Sequence, residues 1–206
     1  MRREAGDAGD AARATAEALA AHYGLEPLPR EGGRFRRLWA GPERGDGRPA
    51  GSAIVMLLTD APDDYCALHR LPTDEVWHHY LGAPLELLLL GPQGGARTPV
   101  LGSDVLGAGH HVQLTVPAGT WMAARVARRA TDDPGPDDPG PDDPGPGRSG
   151  PDAPGPGGPR GRAGAWTLFG CTMAPGYTAA DYEHGDAEAL VRAYPEHAGL
   201  IRELAR

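Results

Sequence analysis

Cysteine is scarce in this chain: 206 residues contain two, Cys66 and Cys171. They stand far apart among apolar residues, in neither a closely spaced ligand pair nor a disulfide framework, so both read as buried thiols of a cytosolic protein. No run of about 18 apolar residues occurs, which excludes a membrane-spanning helix. The N-terminal stretch has early acids and no compact apolar core behind a basic start, so no secretory signal is expected and the expected compartment is the cytoplasm. Positive charge is also thin. Lys+Arg total 20 against 28 Asp+Glu, a formal charge of -8, and without clustered cations neither nucleic acid nor a membrane surface is an expected partner. No P-loop is present, and nothing between residues 50 and 130 reads as a helix of about ten residues or more. A βαβ nucleotide-binding fold is therefore excluded.

What is abundant is glycine and proline, 31 and 22 residues, and much of it lies in one segment. DDPGP begins at Asp132, Asp137 and Asp142, and the pattern decays by Pro159. Proline and glycine remove helix and ladder options, and the acids repel with nothing to bury, so 132–159 is expected to be a disordered acidic loop. Seven aspartates against one arginine give this segment -6 of the chain's net charge of -8. The expected organisation is a flexible N-terminus and helix start over 1–20, then a single domain over 21–206 interrupted by this excursion, whose closure entropy grows only slowly with length.

Upstream, Ala11 to Tyr23 follows Asp10 as a cap and sets Ala12, Ala16, Leu19 and Tyr23 near one helical face. Short strands follow: RFRRLWA, SAIVMLLT, CALHRL, EVWHHYLG, PLELLLLG, HVQLTVPAG, TWMAARVA and AWTLFGCTM. Turn-forming separators such as DAPDD and GPQGGA divide them, a spacing that predicts a sandwich or small antiparallel barrel. The tail, DAEALVRAYPEHAGLIRELAR, reads as two short helices divided at Pro195 that cover an end or edge of the sheet.

The densest polar stretch runs from His69 to Tyr80. Alternation puts Glu75, Trp77 and His79 on one strand face and Val76, His78 and Tyr80 on the other. If the Glu75 face points inward, a pocket holds His69, Glu75 and His79 with Trp77 as its wall. Such groups bind a divalent metal or move a proton, because imidazole titrates near neutrality and a buried carboxylate is raised toward it. A second segment adds Gln113, Trp121, Met122 and Arg125 as pocket candidates, and Arg37 is a further cation for an anionic group.

These blocks carry a resemblance. LEPLPREGGRFRRLWA, GSAIVMLLT, LHRLPTDEVWHHYLGAPLELLLL, VPAGTWMAAR and WTLFGCTMAPGYTAADYE together resemble the cupins, in particular a small bacterial and fungal group formerly classed as a domain of unknown function. The resemblance spans about residues 20 to 195 and implies an all-β jelly-roll barrel with short flanking helices, a central pocket and a homodimeric assembly. Against the customary cupin motifs, His69 matches the first histidine, Glu75 the glutamate and Gly82 the glycine. Leu71 stands where a second histidine is usual, and Met122 where the last metal histidine is usual. Two customary ligands, His69 and Glu75, remain. No cofactor is therefore the leading expectation, with a divalent metal on those two as the alternative.

A more distant similarity to the barrels of deoxysugar epimerases implies acid–base chemistry: His69 as base, Glu75 assisting, and a tyrosine, Tyr80 or else Tyr177 or Tyr182, returning a proton. The leading expectation is a protein that binds a small polar organic ligand, such as a sugar or keto-acid derivative, and isomerises or epimerises it. The alternatives are a metal-assisted oxygenase or lyase built on His69 and Glu75, and a noncatalytic ligand-binding or structural dimer.

Overall fold

The computed structural model describes residues 2–127 and 164–205. The DDPGP segment, 132–159, lies outside the described residues.

Among the described residues, twelve strands form two antiparallel sheets. The first has the order β1-β2-β3-β11-β5-β9, from Glu26–Pro27, Arg34–Ala40, Ser52–Thr59, Trp166–Met173, Glu75–Gly82 and Gln113–Val116. The second has the order β12-β4-β10-β6-β7, from Glu183–His184, Cys66–Arg70, Trp121–Val126, Leu85–Leu90 and Ala96–Arg97, with β8 (Val100–Leu101) also pairing β6. The eight strand segments expected from alternation are all strands. The four additional ones, β1, β7, β8 and β12, are two residues long, too short to show a period of two. β10 and β11, which flank the acidic segment, belong to opposite sheets of the same two-sheet body.

The sheets enclose the main core, with Met56, Leu85, Leu87, Leu89, Trp77, Phe169 and Met122 buried between them. Trp77 stacks on Phe169 with ring centroids 5.4 Å apart and planes 8° from parallel. The run LELLLL is explained by a second apolar layer. Its odd-numbered leucines face the inter-sheet core, while Leu88 and Leu90 face outward against Leu190, Ile201 and Leu204. Those last residues come from α2 (Ala187–Ala193) and α3 (Ala198–Leu204). Burial on both faces makes each such leucine worth about 1.5–3 kcal/mol. The tail helices, divided at Pro195 as expected, thus cover a sheet face and not an end or edge.

The opposite sheet is covered in the same way. α1 (Arg2–Tyr23) begins well before the expected Ala11, and it buries Ala16 and Ala20 against Val55, Leu57 and Leu168. Alanine at the contact lets the helix lie close to the sheet. The buried stripe runs through Ala16 and Ala20, with Leu19 and Tyr23 at its margin. No helix among the described residues is long and apolar enough to cross a membrane.

Candidate functional site

A cavity of about 100 Å³ opens between the sheets. The first sheet supplies most of its wall: Phe35 and Arg37 from β2, Ser52 and Ile54 from β3, Glu75 from β5, and Cys171 and Met173 from β11. β4 and its extension contribute His69 and Leu71, and Glu31 and Tyr177 come from loops. Arg37 lines the cavity and is exposed to solvent, which puts the residue at its mouth.

β5 delivers Glu75 inward by simple alternation, as Glu75 and Trp77 are buried and Tyr80 is exposed. Glu75 Oε2 accepts a 2.8 Å hydrogen bond from Trp77 Nε1, and the Cys171 thiol is a second partner. Burial pushes the Glu75 carboxyl up to about 7. His69 opposes that shift, Glu31 adds to it, and the bonds from Trp77 and Cys171 pull against it. The same burial, reinforced by Glu75, holds the Cys171 thiol well above its ordinary range. A carboxyl that titrates near neutrality inside a cavity is poised to give and take a proton at physiological pH.

β4 delivers His69 by a different device. Met122 pairs with His69 and Ala124 with Cys66, so one residue is inserted in β4 between these pairs. The resulting bulge brings Cys66 and His69, three apart in sequence, to the same interior side. His69 Nδ1 lies 2.8 Å from the carbonyl oxygen of Ala67. A carbonyl only accepts, so Nδ1 carries a proton and donates it there. The imidazole stacks on Tyr182, centroids 5.3 Å apart and planes 16° from parallel. Tyr182 in turn meets His184 Nδ1 at 2.9 Å through its hydroxyl and lies under Arg30, 5.2 Å from its centroid. Burial raises the phenol of Tyr182, and likewise that of Tyr177 at the cavity wall.

Of the residues singled out in the sequence for chemistry, the cavity brings together His69, Glu75, Arg37 and Tyr177, and Tyr182 stacks on His69. Trp77 lies beneath Glu75 in the core and orients it. Met122 is buried between the sheets opposite His69. The others stand elsewhere. Tyr80 is on the outer face of the first sheet, 49% exposed, where it packs over Gly170 and beside His78. The structure does not bring it to His69 and Glu75. His79 is half-buried with Nε2 3.2 Å from the Ala83 carbonyl, and burial lowers its pKa. Gln113 is exposed on β9. Trp121 faces the tail helices and carries Arg70 over its ring at 4.6 Å. Arg125 pairs with Glu86 and Glu203 at 2.9 and 2.6 Å, so its charge is taken up by structure.

Sequence reasoning missed Glu31 and Cys66. Their donor atoms and that of His69 lie within 4.8 Å of one another, a group able to hold a metal. The Gly32-Gly33 turn after Glu31 marks a loop in the sequence, but what holds that loop on β4 is the long-range bond from Ala67 N to the Glu31 carbonyl. For Cys66 no signal existed, because a regular strand would point it away from His69.

Two antiparallel sheets enclosing a buried core and an inter-sheet cavity define a jelly-roll β-sandwich. The chain belongs to the Cupin superfamily (DUF985), whose family model matches residues 17–185. It is similar in structure to a protein from Shewanella oneidensis solved by X-ray crystallography, at 26% identity and a TM-score of 0.69, covering 92% of this chain and 96% of that one. It is also similar to a hypothetical protein from Leishmania major, at 27% identity and a TM-score of 0.66, covering 92% and 97%. A search of curated proteins finds no match.

Membership raises the customary cupin metal, and the residues at its positions do not fit it. Leu71 and Met122, at two of the four ligand positions, are apolar and 3% and 1% exposed. The donors that do gather, Glu31, Cys66 and His69, share only His69 with that pattern.

Proposed function

We propose that the protein binds a small polar organic molecule in the inter-sheet cavity and moves a proton on it. The supporting observation is the convergence of the His69 imidazole and the Glu75 carboxyl, the latter held near neutrality by burial, on one cavity with Arg37 at its mouth. Size narrows the ligand. A cavity of about 150 Å³ takes benzene, so about 100 Å³ suits a short keto acid or a fragment of a sugar, and not a whole nucleotide sugar. Arg37 favours an anionic group at the entrance.

For a ligand with a C–H next to a carbonyl, His69 Nε2 or ionised Glu75 takes the proton. The C–H electron pair moves into the carbonyl and leaves an enolate. Return of a proton to that carbon from the other face, or to its neighbour, gives the epimer or isomer, and no oxidant is consumed. The hydroxyl-bearing residues Ser52 and Tyr177 line the same cavity as donors for the developing oxyanion.

A crystal structure of protein purified without added ligand tests the binding half. The expected result is a compact molecule between Glu75 and Arg37. A cavity filled by side chains or by ordered water alone would argue against it.

A metal-assisted oxygenase or lyase is the second reading, and the donor group around His69 favours it. That group recruits Glu31 and Cys66 in place of Glu75. Assembly as a homodimer belongs to the same proposal, checked by light scattering on the eluted protein, where a monomer mass would remove it.

A further inference from the structure

We propose that Glu31, Cys66 and His69 form a binding site for a borderline divalent ion of the zinc type, beside the cavity and distinct in composition from the customary cupin centre. The spacing is that of a ligand set. Cys66 Sγ lies 3.4 Å from Glu31 Oε1 and 3.9 Å from His69 Nδ1. Donors held tetrahedrally at zinc distances stand about 3.6 Å apart, so both pairs lie within a few tenths of an ångström of that spacing, and His69 Nδ1 ligates by giving up its proton and its bond to the Ala67 carbonyl. Thiolate with imidazole and one carboxylate is a donor set that selects zinc, cobalt(II) or iron(II) over magnesium or calcium.

Two local irregularities create the cluster. The β4 bulge turns Cys66 to the side of His69. The loop before β2 is drawn onto β4 by a 2.6 Å bond from Ala67 N to the Glu31 carbonyl, which sets the Glu31 carboxylate over the thiol. To make that approach Arg30 takes a left-handed backbone conformation, φ +69°, the one non-glycine residue to do so among the described residues. Such a conformation costs on the order of 1 kcal/mol or more and persists where surrounding contacts enforce it. Arg30 then caps Tyr182, and Tyr182 stacks on His69, so one chain of contacts fixes both the loop and the imidazole.

Glu31 and His69 both line the cavity. Three protein donors leave a fourth position for water or for a ligand oxygen. With an ion bound, His69 serves as a ligand, and the Glu75 carboxyl, outside the donor set, carries the proton alone. The site does not depend on the proton-transfer reading, and its test reads metal, not turnover.

The full chain, freed of any histidine tag and stripped with chelator, is titrated with cobalt(II). The expected result is one equivalent bound with a near-ultraviolet thiolate-to-cobalt charge-transfer band and tetrahedral visible absorption. Cys66→Ser abolishes the charge-transfer band, whereas Cys171→Ser, altering the other thiol, keeps it. Glu31→Gln keeps the band but weakens binding tenfold or more. No band in the parent protein, a band that survives Cys66→Ser, or one lost with Cys171→Ser would overturn the proposal. Circular dichroism reports folding. Should Cys66→Ser not fold, unchanged cobalt affinity in Glu31→Gln overturns it on its own.

Discussion

The indole of Trp77 donates a 2.8 Å hydrogen bond to the carboxyl of Glu75 two residues earlier on the same strand, so the buried acid is aimed by a side chain itself locked against Phe169. A carboxyl in that setting is costly to ionise, and stability must depend on pH. Its folded pKa, about 7, is above the ordinary 4.5. The folded state therefore keeps a proton that the unfolded chain releases, and stability falls as pH rises from about 4.5 to 7, then levels. The shift corresponds to on the order of 3 kcal/mol. Urea titrations of Glu75→Gln should show that this fall is removed and that the variant is the more stable form at pH 8. A variant whose stability tracks the parent from pH 5 to pH 8 would contradict the assignment.

Arg37 lines the cavity from its exposed side and forms no ion pair among the described residues, so its charge is available to an anionic ligand. Calorimetry with short 2-oxo acids should give binding at least about tenfold weaker in Arg37→Ala, with the melting temperature nearly unchanged because the side chain is exposed. Equal affinity in both proteins would remove Arg37 from the site.

Arg48 holds the segment that carries Tyr182. It makes a bidentate pair with Asp181 at 2.7 and 2.9 Å and reaches the Gly176 carbonyl at 3.3 Å. The Asp181 side chain is only 6% exposed, so Arg48→Met strands a buried carboxylate. The expected cost is about 3 kcal/mol by denaturant titration, together with faster hydrogen exchange around Tyr182. A cost below about 1 kcal/mol would show that the segment is held by other contacts.

Gly82 ends β5 at φ +92°, and a Cβ there would run into the carbonyl oxygen and ring of Trp166. Both the conformation and the space require glycine. Gly82→Ala should lower stability by at least about 2 kcal/mol, measured by thermal or urea unfolding. A neutral effect would mean that β5 and β11 separate more easily than their pairing implies.

The strands were legible because alternation is a direct readout of a sheet with one buried face. It grouped Glu75 with Trp77 on one face of β5 and Tyr80 on the other, but could not choose which face turns inward; Gly82 was placed by its match to the family pattern. The LELLLL run was legible as a strand, but not as one buried on both sides, since that depends on where the tail helices dock. Cys66 was illegible for a sharper reason. Its approach to His69 depends on one inserted residue in β4, and a bulge leaves no mark in a sequence that periodicity can detect. Glu31 reaches the site through a long-range backbone bond to Ala67, which sequence spacing does not encode. Tyr80 shows the converse. Its own alternation put it on the face opposite Glu75, and the chemistry asked of it would have required the near face.

The account turns on Glu75 as the group that carries a proton in the cavity at neutral pH. The most direct measurement is exchange of solvent deuterium into the carbon next to the carbonyl of short 2-oxo acids, followed by proton NMR at pH 7 for the parent protein and for Glu75→Gln. The account predicts exchange above the buffer background in the parent and a loss of about a hundredfold or more in the variant, in line with removal of a general acid–base group. Equal exchange in the two folded proteins, or background exchange in the parent across the series, would contradict it.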